Sequence, residues 1–309
     1  SESGHGGRDG EVERVSGRPE ILYLNFNQDK SCISAGLTTG FNVYNSCPFA
    51  KCYSKTMGGV AIVQMLYCSS LVALVGNGDK PSFTTRKLHM YNTKTNSPIC
   101  ELNFVTGILS VKLNRKRVIV VMEKKIHIYN ISNMKILHTI DTVTNQRGIC
   151  AFSPSDNSYI AYPGEKTGEV NIFDALALRN VSSIPAHKGA IYAMAFNGDG
   201  TLLATASEKG TIVRVYSVPE AKKCYIFRRG AYPAFVQCIS FSADSSMLCV
   251  SSDTGTIHAF RIDDASSSDA SAKKGIMGSY MPELVSDMME PVRGFANIKL
   301  PTPGVVSLC

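Results

Sequence analysis

No run of 18 or more consecutive apolar residues occurs in this 309-residue chain, which excludes a helix spanning a bilayer. The stretch Ser1 to Glu20 has none of the apolar core that a signal peptide needs. A soluble, cytoplasmic protein is therefore expected. No paired-cysteine motif is present either: the ten cysteines are scattered, mostly inside apolar runs, and Cys47 and Cys52 have no second pair to complete a zinc site. They read as reduced core residues, with no metal and no cofactor. Nor does the chain carry a Ser/His/Asp or Cys/His arrangement, a paired-carboxylate motif or a phosphate-binding glycine loop, so catalysis is not expected. The basic residues form no long stripe interleaved with aromatics, which argues against nucleic acid.

What is present is the material of a well-cored globule, with 44% hydrophobic and 18% charged residues. The formal charge of +7 permits an anionic partner such as a phospholipid surface, and a solvated basic face explains it equally well. Short β-branched segments end repeatedly in an aromatic followed by a small polar residue or an arginine: Tyr44-Asn45, Tyr91-Asn92, Tyr129-Asn130, Phe173-Asp174, Tyr216-Ser217 and Phe260-Arg261. They recur 47, 38, 44, 43 and 44 residues apart, the period of a four-stranded propeller blade. Within each period an alternating strand, a polar turn, a second strand and a third follow in order, as in 191–196, 202–206 and 211–216. With no tryptophan in the chain, the Trp-Asp ending of ordinary WD40 repeats is absent, and the Tyr-Asn, Phe-Asp and Tyr-Ser endings stand in for it.

Six blades are visible by this count. A seventh begins near Val292, and the chain stops at Cys309, leaving room for one or two of its strands. The fold expected is all-β: a seven-bladed WD40-like β-propeller whose last blade is truncated. It would occupy residues 20–309 as one domain, after a flexible tail at 1–19. The Ser-rich run Ser266 to Ser271 marks a flexible loop at about 263–290.

Between the fifth and sixth periods stands Phe227-Arg228-Arg229-Gly230. Successive side chains on a strand point to opposite faces, so the two guanidinium groups are expected to serve two pockets rather than one. Guanidinium grips phosphate bidentately, and Gly230 would let the chain turn sharply behind the pair. The fifth period offers Thr205, Ser207, Gly210, Thr211 and Arg214, with His187 in its entry loop; the sixth offers Ser252, Thr256 and His258. Hydroxyl donors plus an imidazole suit a phosphorylated polyol. The same residues also suit ordinary propeller turns and a solvated, ion-paired basic face.

Phe-Arg-Arg-Gly at this blade boundary resembles the signature of the PROPPINs, β-propellers that bind polyphosphoinositides. The stretches 26–29, 111–115, 159–164, 203–211 and 285–289 also resemble the autophagy branch of that family, and the likeness runs from about Leu22 to Cys309. The resemblance implies two sites for phosphatidylinositol 3-phosphate and phosphatidylinositol 3,5-bisphosphate. His187, Thr205, Ser207, Gly210, Thr211, Arg214 and Arg228 would form the first; Arg229, Gly230, Ser252, Thr256 and His258 would form the second.

Two further features bear on membranes and partners. Met277, Tyr280, Met281, Leu284, Val285 and Met288 recur at helical spacing. They suit either a short capping helix or, as the resemblance implies, a membrane-inserting loop whose Lys273 and Lys274 face anionic headgroups. In the turn Arg115-Lys116-Arg117, the resemblance implies that Arg115 and Arg117 dock autophagy proteins. The expected function is a phosphoinositide-directed scaffold, monomeric in solution and peripherally bound to preautophagosomal and endosomal membranes. The alternative is a propeller that binds only proteins.

Overall fold

The computed structural model describes residues 19–262, 291–302 and 305–309. Its β-branched and aromatic segments form six sheets, each built on an antiparallel meander, arranged as blades around an axis. Blade one contains β1 (Ile21–Phe26), β2 (Cys32–Leu37), β3 (Gly40–Asn45) and β4 (Ala50–Thr56). Blade two contains β5 (Val60–Met65), β6 (Leu71–Gly76), β7 (Lys87–Asn92) and β8 (Ser97–Asn103). Blade three contains β9 (Ser110–Leu113), β10 (Arg117–Val121), β11 (Lys125–Asn130) and β12 (Ile136–Asp141). Blade four contains β13 (Ala151–Phe152), β14 (Tyr159–Pro163), β15 (Glu169–Asp174) and β16 (Arg179–Pro185). Blade five contains β17 (Ile191–Phe196), β18 (Leu202–Ser207), β19 (Ile212–Ser217) and β20 (Lys223–Arg228). Blade six begins with β21 (Val236–Phe241), β22 (Met247–Ser252) and β23 (Thr256–Arg261).

The first strand of each blade lines the axis, and successive first strands lie side by side from β1 to β21. Alternation puts one row of apolar side chains from each blade against the next. Five apolar cores result, one at each junction from blades one and two to blades five and six. Ile119, Ile126, Ile128, Ile160 and Ile172 are fully buried in these layers.

A second set of contacts ties the blades together at the turns that leave their first strands. The Asn114 amide donates to Ser153 O, Ser155 O and Ser158 Oγ of blade four, while its Oδ1 accepts from the Lys116 and Arg117 amides. Asn157 and Ser155 reach Asp199 O of blade five, and Asn197 reaches Ser245 of blade six. Gln28 donates to Met65 O and Leu113 O, linking blade one to blades two and three. These short amide side chains satisfy turn groups that burial would otherwise leave unpaired.

The seven-bladed expectation is overturned: the described residues form six blades. β24 (Val292–Arg293) pairs in parallel with β20 as a fifth strand of blade five, and β25 (Ala296–Lys299) pairs antiparallel with β23 as the fourth strand of blade six. The segment that starts near Val292 therefore finishes blade six instead of opening another blade. An unfinished third strand leaves a row of unpaired backbone groups, and β25 supplies their partners. Among the described residues no apolar core joins blade six to blade one. Residues 305–309 lie there against blade six, with the Ser307 amide on Gln237 Oε1 and the Ser251 hydroxyl on Ser307 O. The Ser-rich segment and the candidate membrane residues Met277, Tyr280, Met281 and Leu284 fall outside the described residues.

Candidate functional site

Register alone assembles the first group of predicted residues. Thr205 on β18 pairs with Arg214 on β19, and Ile212 on β19 pairs with Arg228 on β20. Directly opposed residues in an antiparallel ladder share a face, and so do residues two apart on one strand. Thr205, Ser207, Arg214 and Arg228 consequently lie on one face of blade five. Leu203 and Tyr216 lie on that face too and join the core shared with blade four, so it is the face turned toward blade four.

His187 closes over this face from the loop that leaves β16. Its Nδ1 accepts from Arg214 Nη1 at 2.8 Å, and its Nε2 bonds Thr205 Oγ1 at 3.0 Å. Thr205 Oγ1 in turn donates to Arg214 O at 3.3 Å. Burial first, and then the Arg214 guanidinium, hold the imidazole down at about 4, so it is neutral near pH 7, with its proton on Nε2. The Thr205 hydroxyl is fully buried and already used, so Thr205 positions His187 and Arg214 and is not open to a ligand. Arg214 keeps its remaining donors beyond the bonds to His187 and Ala186 O.

Arg228 is half-buried, and its side chain has no ion pair or hydrogen-bond partner among the described residues. The parallel pairing with β24 sets Arg293 opposite it, which also lacks an acidic partner among the described residues. Two like charges on facing positions repel, and an anion between them would relieve that cost.

Arg229 takes the opposite side. Phe227, two residues earlier, packs into the core shared with blade six, and Arg229 follows it toward that blade. Its Nε donates to Gly210 O at 2.6 Å, an Nη donates to Tyr232 O, and its backbone amide donates to Thr211 O. Only 7% of the residue is exposed. Burial lowers its pKa, against the opposing pull of Asp253.

His258 is paired with Val250, which belongs to the same core, so His258 and its neighbours Thr256 and Ser252 face blade five and Arg229. Burial lowers the His258 pKa, while a hydrogen bond to Asn297 raises it and the Arg229 charge lowers it further. Ser252 is fully buried with its hydroxyl on Thr254 Oγ1 at 2.9 Å. Sequence reasoning missed two residues of this crevice. β25 puts Asn297 opposite His258 and Lys299 opposite Thr256, and the only signal was the alternation in Ala296 to Lys299.

The two glycines differ. Gly210 has φ +61°, and a Cβ there would stand 1.9 Å from Ala234 O, so the turn between β18 and β19 admits no side chain. Gly230 is not in the left-handed region, and a Cβ on it would meet nothing within 4 Å. Gly230 therefore is not needed for the sharp turn expected from sequence; its small size leaves the space beside Arg229 open.

The two arginines of the third blade differ in their surroundings. Arg115 is exposed, with its guanidinium 4.1 Å over the Tyr67 ring. Arg117 is tied to backbone, its Nε donating to Ala175 O at 2.9 Å and its Nη1 to Lys116 O at 3.1 Å.

Comparison with known proteins gives a consistent kinship. The PROPPIN family model matches residues 21–309. Autophagy-related protein 18 of Dictyostelium discoideum is 49% identical over an alignment covering 94% of this chain and 83% of the relative. Autophagy-related protein 18 of Yarrowia lipolytica is 42% identical, covering 90% and 84%. Among solved structures, Kluyveromyces lactis Hsv2 with its complete loop 6CD superposes with a TM-score of 0.76 at 22% identity, covering 92% of this chain and 84% of that one. KlAtg21, solved in complex with the coiled-coil of AgAtg16, gives a TM-score of 0.70 at 34% identity, covering 79% and 81%. With a family match that spans nearly the whole chain and relatives this similar over most of their length, the chain belongs to the PROPPIN family.

Proposed function

We propose that this protein is a scaffold that binds phosphoinositides on autophagic membranes and recruits autophagy proteins there, without enzymatic activity of its own. The observation that carries this reading is the division of Arg228 and Arg229 between two crevices. Arg228 joins Arg214 on the face toward blade four, with Ser207 on the same face. Arg229 joins Thr256, His258, Asn297 and Lys299 between blades five and six. Guanidinium and hydroxyl donors in each crevice suit a monophosphorylated or bisphosphorylated inositol headgroup, phosphatidylinositol 3-phosphate and phosphatidylinositol 3,5-bisphosphate being the lipids proposed. Two weak sites acting together bind a membrane far more firmly than either alone.

Peripheral attachment is part of the proposal: the arginines stand at crevices between blades, and the described residues contain no helix long and apolar enough to cross a membrane. Met277, Tyr280, Met281 and Leu284 are proposed to insert beside the headgroups. The KlAtg21 complex with a coiled-coil supports a helical protein partner here too, and the exposed Arg115 is the docking residue offered to its acidic side chains.

Liposome flotation tests the reading. The protein should float with vesicles containing phosphatidylinositol 3-phosphate, and the Arg228→Thr, Arg229→Thr double variant should stay in solution. Each single variant should lose roughly one site. Thermal melts run alongside separate binding from folding: Arg229→Thr removes two buried hydrogen bonds and should cost about 1–3 kcal/mol of stability, whereas Arg228→Thr should change the melt little. Equal flotation of wild type and a folded Arg228→Thr, Arg229→Thr variant would overturn the proposal.

A further inference from the structure

The axial channel is lined by strands from all six blades and encloses about 500 Å³. Its wall includes Lys30 from the turn after β1, Lys112 of β9 and, at the mouth, Arg147 from the loop before β13. Among the described residues no aspartate or glutamate side chain lines it. Neither ammonium group has an ion pair or a hydrogen-bond partner among the described residues. Arg147 is fixed by stacking, its guanidinium 3.3 Å from the centre of the Tyr192 ring, and Tyr192 stacks in turn on Phe235 at 5.0 Å.

Cations held in a confined space in excess of counter-charge are costly, and their cost falls when a further anion shares the space. Lys30 and Lys112 line the same channel, as does Cys238 on the blade-six wall. Burial lowers the pKa of Lys30. Neutral donors stand nearby in the Ser110 and Ser240 hydroxyls, and the Gln237 amide nitrogen is available because Gln237 Oε1 is taken up by Ser307.

We propose that this channel is a second kind of anion site, which takes a compact phosphate compound between Lys30 and Lys112, with Arg147 at its entrance. It is independent of the phosphoinositide reading, because the lipid crevices use the second, third and fourth strands of blades five and six while the channel uses the first strand of every blade. The shared chemistry is phosphate; a soluble phosphate compound is the occupant proposed, and a lipid headgroup is the competing source.

Titration calorimetry of the full chain with tripolyphosphate, and separately with inorganic phosphate, tests this directly. Tripolyphosphate should bind, and more tightly than inorganic phosphate. Removing each ammonium should weaken binding about tenfold, so Lys30→Gln with Lys112→Gln loses about a hundredfold. Lys112→Arg keeps the charge and should keep most of the affinity, which guards against a misfolded Gln variant. Arg228→Thr should bind tripolyphosphate as wild type does, and the double Lys variant should float with phosphatidylinositol 3-phosphate vesicles as wild type does. Absence of binding by wild type, unchanged binding by the double Lys variant, or loss of tripolyphosphate binding in Arg228→Thr would each overturn the proposal. Loss of flotation in a folded double Lys variant would also overturn it, by making the channel part of the lipid site.

Discussion

His187 couples the crevice between blades four and five to pH. An ordinary imidazole titrates near 6.5, and in the fold this one is held at about 4, by burial first and by Arg214 second. The unfolded chain therefore takes up its proton as pH falls below about 6.5, while the folded chain refuses it until about 4. Stability from this source is complete above 6.5, is lost as pH falls from 6.5 to 4, and changes no further below. At about 1.4 kcal/mol per pKa unit the full difference is about 3 kcal/mol, and the partial exposure of His187 reduces it to about 2–3 kcal/mol. Urea unfolding followed by circular dichroism at pH values from 7.5 to 4, on wild type and His187→Gln, isolates it, because every other titrating group is common to both proteins. The wild-type advantage over the variant should shrink by about 2–3 kcal/mol across that window. Parallel stability curves would refute the reasoning. A second readout is local: a protonated Nδ1 cannot accept from Arg214, so flotation should weaken at acid pH in wild type more than in His187→Gln.

Two further outcomes test the frame around the crevices. Gly210→Ala must place a methyl group 1.9 Å from Ala234 O at φ +61°, so it should cost about 2 kcal/mol or more. Gly230→Ala meets nothing within 4 Å and should stay within about 0.5 kcal/mol of wild type; equal shifts in thermal melts would contradict this contrast. Asn114→Ala removes donors to three groups of blade four and the acceptor for two turn amides. A loss of about 2–3 kcal/mol is expected, and a melt unchanged from wild type would show that the turn contacts do not hold the blades together.

The blade period was legible because each blade repeats the same physical problem: bury two apolar faces and finish with an aromatic at the end of the third strand. Tyr91, Tyr129, Phe173, Tyr216 and Phe260 mark that position, and all five are buried. The number of blades was not legible. Counting aromatics locates third strands, and a fourth strand has no such marker because it lies at the rim with little to bury: β25 reads partly exposed, then exposed at three positions. When residues 263–290 separate β23 from its outer partner, nothing in Gly294 to Leu300 distinguishes the end of one blade from the start of another. The open edge of β23 decides it, and an open edge is a property of the fold rather than of a segment.

The same reasoning accounts for what was found and missed at the crevices. Arg228 and Arg229 separate onto two faces because alternation is local to one strand, and so the division follows from three adjacent residues, with Phe227 fixing which side is the core. Asn297 and Lys299 come to Thr256 and His258 only through register across a long interruption, which no local pattern encodes. The family resemblance names Arg115 and Arg117 together; Arg115 lies in the turn and Arg117 begins β10, where its Nε meets Ala175 O of blade four. Side-chain direction is free in a turn, and in a strand it is fixed by alternation. The division of duties at Arg228 and Arg229 rests on the second case: a change of one residue in β20 length would exchange their faces, leaving Arg228 against blade six and Arg229 beside Arg214.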